Sequence, residues 1–203
     1  MHGLATPGLS LESYGDKRKL EVASRNDVFT ATLDGEPCVL KAYDLTNEAD
    51  RRRVQREVLR LHELRHRHIV QVQAVFVEST ETSMKAYIQM PEYTGGNLKQ
   101  WLLADTPNPQ TRRRLLFGLL QAVERMHSAG VTHNDMKLEN VLLTEGGEDA
   151  VLSDFELSNS TGGATTTFVG GGTPAYMALE RTPPTNAKPT PASDMYDLCE
   201  VLV

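Results

Sequence analysis

The chain has 203 residues, of which 39% are hydrophobic and 24% are charged, and its formal net charge is −6 at pH 7. These values are ordinary for a globular protein and exclude a chain that is disordered throughout, because disorder needs low hydrophobicity together with high net charge. No uncharged apolar run approaches the roughly 18 residues of a transmembrane helix, and the N-terminal residues lack the basic start and apolar core of a secretory signal. Two cysteines, Cys38 and Cys199, are too few for a disulfide framework and favour a reducing compartment, so we predict a cytoplasmic protein without a membrane segment.

The first half of the chain is dominated by patterns typical of β-strands. Residues 1–17 are rich in Gly, Ser and Pro, and we expect a flexible N-terminal tail there. Residues 19–43 contain short β-branched runs on both sides of Asp34 and Gly35, which predicts a hairpin. Apolar residues recur at three- and four-residue spacing over 47–64, which predicts an amphipathic helix. Two further strands are predicted at 69–78 and 85–90.

The second half of the chain is predicted to be mainly helical, after a linker that contains Gly95 and Gly96. Helices are predicted at 98–104, at 111–128 and from Asp194 to the last residue, with short strands at 141–143 and 150–152. Residues 158–172 are dominated by Thr and Gly, which predicts a loop. The basic runs at 51–53 and 112–114 each begin a predicted amphipathic helix, so we expect solvated helical faces and no nucleic-acid partner.

The octapeptide HNDMKLEN, residues 133–140, concentrates polar groups between a long helix and a short apolar strand. It contains Asp135, Lys137 and Asn140, and Asp154 follows the next apolar strand. Together these residues supply a proton acceptor, a cation for phosphate oxygens and two oxygen ligands for Mg²⁺. Such groups suit phosphoryl transfer, because its catalysis consists mainly of positioning and charge neutralisation.

At this point the sequence resembles the eukaryotic protein kinase family, of the Ser/Thr type. HNDMKLEN is similar to the catalytic loop written HRDxKxxN, and SDFE at 153–156 is similar to the metal-binding DFG segment. CVLK at 38–41 resembles the VAIK strand, and Glu57 matches the helix glutamate that pairs with its lysine. GTPAYMALE at 172–180 resembles the end of an activation segment, and Asp194 matches the aspartate that opens the following central helix.

The resemblance implies an α+β fold of two lobes, with a small antiparallel β lobe plus one helix and a partial helical lobe. We expect a tail at 1–17 and a partial kinase domain at 18–203, divided into an N-lobe at 18–90, a hinge at 91–97 and an incomplete C-lobe at 98–203. In the family, further helices beyond Val203 bury the central helix and supply an arginine that pairs with Glu180. We therefore expect either a C-terminally truncated chain or a partner that completes the lobe.

The same resemblance implies the roles of the polar residues. Asp135 would accept the proton of a Ser or Thr hydroxyl in a protein substrate, and Lys137 would contact the γ-phosphate of ATP. Asn140 and Asp154 would coordinate Mg²⁺. His133 is expected to be a packed structural histidine.

The resemblance also implies a set of nucleotide-binding residues. Lys41 would hold the α- and β-phosphates and would be oriented by Glu57. The remaining positions that match nucleotide contacts are Val28, Met90, Pro91, Tyr93 and Leu142. Pro91 is tolerable because the family uses only the carbonyl at that place.

Several positions depart from the family pattern. The three glycine places of the phosphate-binding loop are occupied by Glu21, Ala23 and Asn26, whose side chains hinder close approach to phosphates. The threonines at 165–167 are candidate phosphorylation sites. Asn134 replaces the arginine that receives an activation-loop phosphate in the family, so regulation by such phosphorylation is less expected. Glu156 replaces the DFG glycine, and Leu179 replaces the proline of the APE motif.

These features leave three hypotheses. The first is an ATP-dependent Ser/Thr protein kinase, because the five polar residues that this chemistry needs are all present. They are Lys41, Asp135, Lys137, Asn140 and Asp154. The second is a pseudokinase that acts as a binding or scaffold module, which the missing glycines and Glu156 favour. The third is a small-molecule phosphotransferase of kinase-like fold, which Lys137 and the GTPAYMALE segment disfavour.

Overall fold

The computed structural model describes residues 5–22, 26–104, 108–160, 172–183, 185 and 187–202. It divides into two compact units, whose described residues lie within Met1–Arg65 and Val70–Glu92 for the first, and within His66–Ile69 and Tyr93–Val203 for the second. The first unit contains an antiparallel sheet with one helix, and the second is mainly helical. The predicted α+β fold class is therefore confirmed.

The first unit is built on a five-stranded antiparallel sheet with the order β1-β2-β3-β5-β4. Its strands are β1 (Gly15–Lys19), β2 (Asp27–Leu33), β3 (Glu36–Asp44), β4 (Ala74–Ser79) and β5 (Met84–Pro91). The predicted hairpin joins β2 to β3, and Asp34 and Gly35 at its turn have φ values of 53° and 87°. Positive φ at both central residues is the requirement of a tight two-residue hairpin turn, which Asp-Gly meets at little cost.

Helix α1 (Glu48–Glu63) covers one face of this sheet. It begins after Asn47, whose side chain accepts a hydrogen bond from the Asp50 N–H at 3.0 Å and so satisfies one of the free donors of the first turn. The apolar residues at helical spacing are buried, and they pack against inward-facing side chains of β3, β4 and β5. The helix is thus held by its amphipathic face, as the periodicity predicts.

The described part of the N-terminal segment, from residue 5 onward, covers the other face, which corrects the expectation of a flexible tail for residues 5–17. Leu11–Ser13 form a single 3₁₀ turn, and β1 follows. Tyr14 is only 2% exposed, stacks on Phe76 at 5.4 Å between ring centres, and donates its hydroxyl hydrogen to Gln89 Oε1 at 2.7 Å. Its content of Gly, Ser and Pro suggested a loose segment. Composition could not show that its apolar side chains become buried when the sheet is present.

The strand predicted at 69–78 is shorter in the structure, where β4 begins at Ala74. Ile69 is fully buried but belongs to the second unit, where it forms an isolated bridge with Leu152. One apolar run therefore serves two separate cores, a division that periodicity alone does not show.

The second unit contains three α-helices and two short ribbons among the described residues. They are α2 (Leu98–Ala104), α3 (Pro109–Ser128), α4 (Pro191–Leu202), β6 (Val131–Thr132) paired with β9 (Asn159–Ser160), and β7 (Val141–Leu143) paired with β8 (Ala150–Leu152). Helix α4 begins three residues before Asp194, because Thr190 and Ser193 exchange backbone-to-hydroxyl hydrogen bonds of 2.9 and 3.1 Å in a reciprocal cap. Helix α3 buries its apolar face against β8.

No helix within the described ranges is both long enough and apolar enough to cross a bilayer. The phosphorylation candidates at 165–167 lie outside the described residues, as does Ala23.

Candidate active site

In the first unit, Lys41 of β3 and Glu57 of α1 form a buried ion pair. Lys41 Nζ lies 3.7 Å from Glu57 Oε1, and the side chains are 8% and 4% exposed. A lysine and a glutamate are seldom this buried unless they are paired, so the two residues require each other for burial. The sequence motif had predicted this pairing from positions on two different elements.

Three predicted nucleotide contacts also lie on this sheet. Val28 of β2 is directly opposite Lys41 in the antiparallel register, and Met90 of β5 is directly opposite Val39. Opposed residues share a face, and so do residues two apart on a strand. Val28, Met90 and Lys41 therefore share the α1-covered face, while Pro91 is the last residue of β5.

Two further predicted contacts, Tyr93 and Leu142, belong to the second unit. Burial raises the pKa of the Tyr93 hydroxyl. Leu142 is half-buried in β7 and bridges to Asn97. Gly95 lies between Tyr93 and Leu142 in the sequence. Packing as well as the turn requires glycine there, because an added Cβ would lie 2.2 Å from the Thr144 carbonyl oxygen.

The carboxylate of Asp135 is the centre of a hydrogen-bonded cluster in the second unit. Its Oδ2 accepts from Lys137 Nζ at 2.6 Å and from Asn140 Nδ2 at 3.2 Å. Its Oδ1 accepts from the Thr173 hydroxyl at 2.8 Å, and Lys137 Nζ also donates to that hydroxyl at 3.3 Å. Asp135 is 8% exposed, so these donors hold one orientation of a nearly buried acid.

Sequence reasoning treated Thr173 only as part of the GTPAYMALE segment and missed its contact with Asp135. The signal that could have found it is the place of Thr173 in the GTPAY segment.

The β7–β8 ribbon places Asn140 next to Ser153, the residue that precedes Asp154. Val141 lies opposite Leu152, and just beyond this pair the Asn140 carbonyl accepts from both the N–H and the hydroxyl of Ser153 at 2.9 Å each. The Asn140 amide nitrogen donates to Asp135, so the amide oxygen is the atom that a cation would meet. An amide oxygen and a carboxylate are hard ligands, and the two residues fit Mg²⁺ by their donor chemistry.

Asp194 anchors the HNDMKLEN loop, residues 133–140, from the first turn of α4. Its Oδ2 accepts from the His133 N–H at 2.8 Å and from His127 Nε2 at 3.0 Å, and its Oδ1 accepts from the Asn134 N–H at 2.9 Å. Asp194 is fully buried. One carboxylate therefore satisfies two consecutive backbone donors immediately before Asp135, which determines the path of the loop.

His133 has the packed structural environment that was expected for it. It is fully buried, its Nε2 lies 2.9 Å from the Ser153 carbonyl oxygen, and its ring meets Phe155 edge-on at 4.8 Å. Asn134 adopts a positive φ of 74°, which Asn tolerates better than most residues, and its amide donates to the Leu157 carbonyl at 2.6 Å.

A buried ion pair between Arg181 and Asp197 is a part of this unit that sequence reasoning did not find. Arg181 is 2% exposed, donates to Asp197 at 3.1 Å and also donates to the Asn134 carbonyl at 3.1 Å. Asp197 accepts in addition from the Ala178 N–H at 3.1 Å. Burial raises the pKa of Asp197 to about 6. The neighbouring Glu180, for which the family resemblance implies an arginine partner, is exposed.

Comparison with known proteins supports the resemblance to the protein kinase family. The family model described as protein kinase domain matches residues 23–203. The chain is 30% identical over 189 residues to a bifunctional serine/threonine-protein kinase/NEDD4-like E3 ubiquitin-protein ligase of Dictyostelium discoideum, which covers 88% of this chain and 10% of that protein. It is 32% identical over 162 residues to the serine/threonine-protein kinase ppk25 of Schizosaccharomyces pombe, covering 77% of this chain and 37% of that protein.

A plant relative is similar as well. The chain is 37% identical over 132 residues to the CBL-interacting serine/threonine-protein kinase 13 of Arabidopsis thaliana, covering 63% of this chain and 25% of that protein. The chain thus spans between a tenth and about two fifths of the length of these relatives. The family model extends over most of the chain, and the structure has the antiparallel sheet and the helices that the resemblance implied. The chain therefore belongs to the protein kinase family.

Proposed function

We propose that the protein transfers the γ-phosphate of ATP to a Ser or Thr hydroxyl of a protein substrate. The observation that carries this proposal is the Asp135 cluster, in which Lys137, Asn140 and Thr173 all donate to one nearly buried carboxylate. A carboxylate that accepts the hydroxyl proton and a cation that neutralises phosphate charge are groups that phosphoryl transfer to a hydroxyl uses. The names of the relatives, all serine/threonine-protein kinases, support the choice of residue class.

The catalytic roles follow from this chemistry. Asp135 accepts the proton of the attacking hydroxyl, and its three donors keep its oxygens oriented toward one position. Lys137 neutralises charge on the transferred phosphoryl group. Asn140 and Asp154 hold Mg²⁺, which supplies charge neutralisation on the phosphate oxygens when it is bound.

The nucleotide roles are assigned to the buried pair and its neighbours. Lys41 binds the α- and β-phosphates, and Glu57 holds its ammonium in place at 3.7 Å. The adenine contacts are proposed to come from Val28, Met90, Pro91, Tyr93 and Leu142. Their apolar character suits a flat aromatic base.

The direct test is Mg²⁺-dependent incorporation of labelled phosphate from ATP into the protein itself or into casein. We expect Asp135→Asn to lower incorporation by at least 10²-fold, because the proton acceptor is lost. The matched control is Asp149→Asn, which changes an aspartate of the same unit whose side chain pairs with Arg67 at 2.7 Å. The proposal fails if Asp135→Asn and Asp149→Asn retain equal activity.

A pseudokinase that binds a partner is the second candidate, and Glu156 is the observation that favours it. This acidic residue directly follows Asp154 and Phe155, where the family pattern has glycine, and it lies in the 3₁₀ turn that ends at Leu157. Its carboxylate adds negative charge beside the proposed Mg²⁺ ligand, which opposes nucleotide phosphate binding. This candidate predicts no rise in melting temperature with ATP and Mg²⁺, because a ligand stabilises only a protein that binds it.

We also propose a cytoplasmic location. Cys38 and Cys199 are both free thiols, which suits a reducing compartment. Subcellular fractionation of the native protein tests this point, and recovery in a secreted or membrane fraction would contradict it.

A further inference from the structure

Tyr43 stands between the two members of the buried ion pair. It follows Lys41 by two positions on β3, so both side chains extend from the same face of the sheet. The Tyr43 hydroxyl donates to Glu57 Oε1 at 2.9 Å, and Lys41 Nζ lies 5.2 Å from the centre of the Tyr43 ring. Tyr43 itself is 3% exposed.

The distances distinguish the two contacts that Glu57 Oε1 makes with Lys41 and Tyr43. Lys41 Nζ is 3.7 Å from Glu57 Oε1, whereas the Tyr43 hydroxyl reaches the same oxygen at 2.9 Å. Hydrogen bonds from nitrogen donors normally fall at about 2.7–3.2 Å. At Oε1, therefore, the phenol makes the hydrogen bond, while the ammonium contributes an attraction that varies slowly with distance and direction.

Packing explains the ring of Tyr43 but not its hydroxyl. The ring belongs to an apolar cluster with Val54, Val58 and Ile88, where phenylalanine would fill nearly the same space. A phenol hydroxyl in such a cluster is costly to bury unless it has an acceptor, and its acceptor is a proposed site residue.

We propose that Tyr43 is a positioning residue, which holds the Glu57 carboxylate by a hydrogen bond and thereby directs the Lys41 ammonium toward the phosphates of the nucleotide. This inference rests on the proposed function for the role of Lys41. The ring of Tyr43 restrains the same ammonium through its π face, so the residue contacts both partners of the pair.

The chain offers a matched control for the hydroxyl. Tyr14 is also a buried tyrosine of the first unit, 2% exposed, and its hydroxyl also donates to a single side-chain oxygen, that of Gln89 at 2.7 Å. Tyr14 packs in the cluster on the other face of the sheet. Tyr43→Phe and Tyr14→Phe each remove one buried hydroxyl, and only the first touches the ion pair.

The first measurement is calorimetric titration of ATP with Mg²⁺ into the full chain. We expect Tyr43→Phe to weaken the affinity about tenfold, the equivalent of about 1.4 kcal/mol, while Tyr14→Phe changes it by less than about twofold. Lys41→Met serves as the reference for loss of the phosphate-binding ammonium. If the wild type binds nucleotide and the two variants Tyr43→Phe and Tyr14→Phe bind it with equal affinity, the inference is overturned.

The second measurement needs no nucleotide, so it separates this inference from the proposed function. In urea unfolding, we expect Tyr43→Phe and Lys41→Met to be non-additive by about fivefold in the unfolding equilibrium constant, because both act on Glu57. Tyr14→Phe and Lys41→Met should be additive. If the wild type binds no ATP, the proposed nucleotide role fails, and the cycle of Tyr43→Phe with Lys41→Met alone decides whether Tyr43 positions the ion pair. Additivity in both cycles overturns the positioning role of Tyr43.

Discussion

Replacing Asp197 by alanine tests how far the buried Arg181–Asp197 pair holds the second unit together. The two side chains are 0% and 3% exposed, and their atoms approach to 3.1 Å. Removing one partner of such a pair typically costs about 3–5 kcal/mol, because the remaining charge keeps its desolvation penalty without its counter-charge. Arg181 retains its bond to the Asn134 carbonyl, so we expect a loss near the lower end, about 3 kcal/mol.

Urea unfolding followed by tryptophan fluorescence measures this loss. Trp101 is the single tryptophan of the chain and lies in α2 of the second unit, so its signal follows that unit. The matched control is Asp149→Ala, which breaks the pair with Arg67, whose side chain is 68% exposed. Exposed pairs contribute about 0–1 kcal/mol, and the control should therefore be nearly neutral.

A double replacement, Arg181→Met with Asp197→Ala, sharpens the test. Since it removes both buried charges, we expect it to be more stable than Asp197→Ala alone. If Asp197→Ala costs no more than Asp149→Ala, the ion pair does not stabilise the unit and the argument from burial is wrong.

The pH dependence of the same pair has a definite sign. Burial raises the pKa of Asp197 from 3.8 to about 6, and the charge of Arg181 opposes that rise. A carboxyl with a higher pKa in the folded state binds its proton more tightly when folded, so this contribution to stability is present at low pH and is lost as pH rises through about 6. Relative to Asp197→Asn, the wild type should gain on the order of 1 kcal/mol between pH 7 and pH 5. A difference that stays constant over this window would contradict the assignment.

Three further replacements test other parts of the structure. Gly95→Ala should destabilise the second unit by about 2 kcal/mol or more in urea, because its Cβ would lie 2.2 Å from the Thr144 carbonyl oxygen; a neutral effect would show that the backbone can move away. Asn47→Ala should cost about 1 kcal/mol, since it removes the side-chain cap of α1, and Asn47→Asp should restore most of it. Thr173→Ala should lower phosphate incorporation about tenfold or more through loss of the hydroxyl bonded to Asp135, whereas Thr173→Ser should retain activity; equal activity of the two variants would exclude a role for the hydroxyl.

Local signals were sufficient to predict most elements of the fold. The Asp-Gly turn between β2 and β3 needs only two residues to determine its backbone, and the cap and apolar spacing of α1 act within one or two turns. The N-terminal segment was misjudged because Tyr14 becomes a core residue only through contact with Phe76 and Gln89, which are distant in sequence.

The candidate site was predictable to the extent that motifs preserve residue types. HNDMKLEN identified Asp135, Lys137 and Asn140, and the assignments of their roles remain predictions. The motif did not indicate that Thr173 donates to Asp135. It also gave no sign that Arg181 is buried against Asp197, because neither residue belongs to a recurring pattern at that place.

By itself, the sequence determined the family and the order of the elements, because motifs, caps and periodicity depend on residues close together along the chain. Only the tertiary structure decided which donors surround Asp135, that Asp194 holds the HNDMKLEN loop from α4, and that the Tyr43 hydroxyl reaches Glu57. These contacts join segments that are far apart in sequence. Their formation depends on how elements pack and which groups lose water, and no local pattern encodes that outcome.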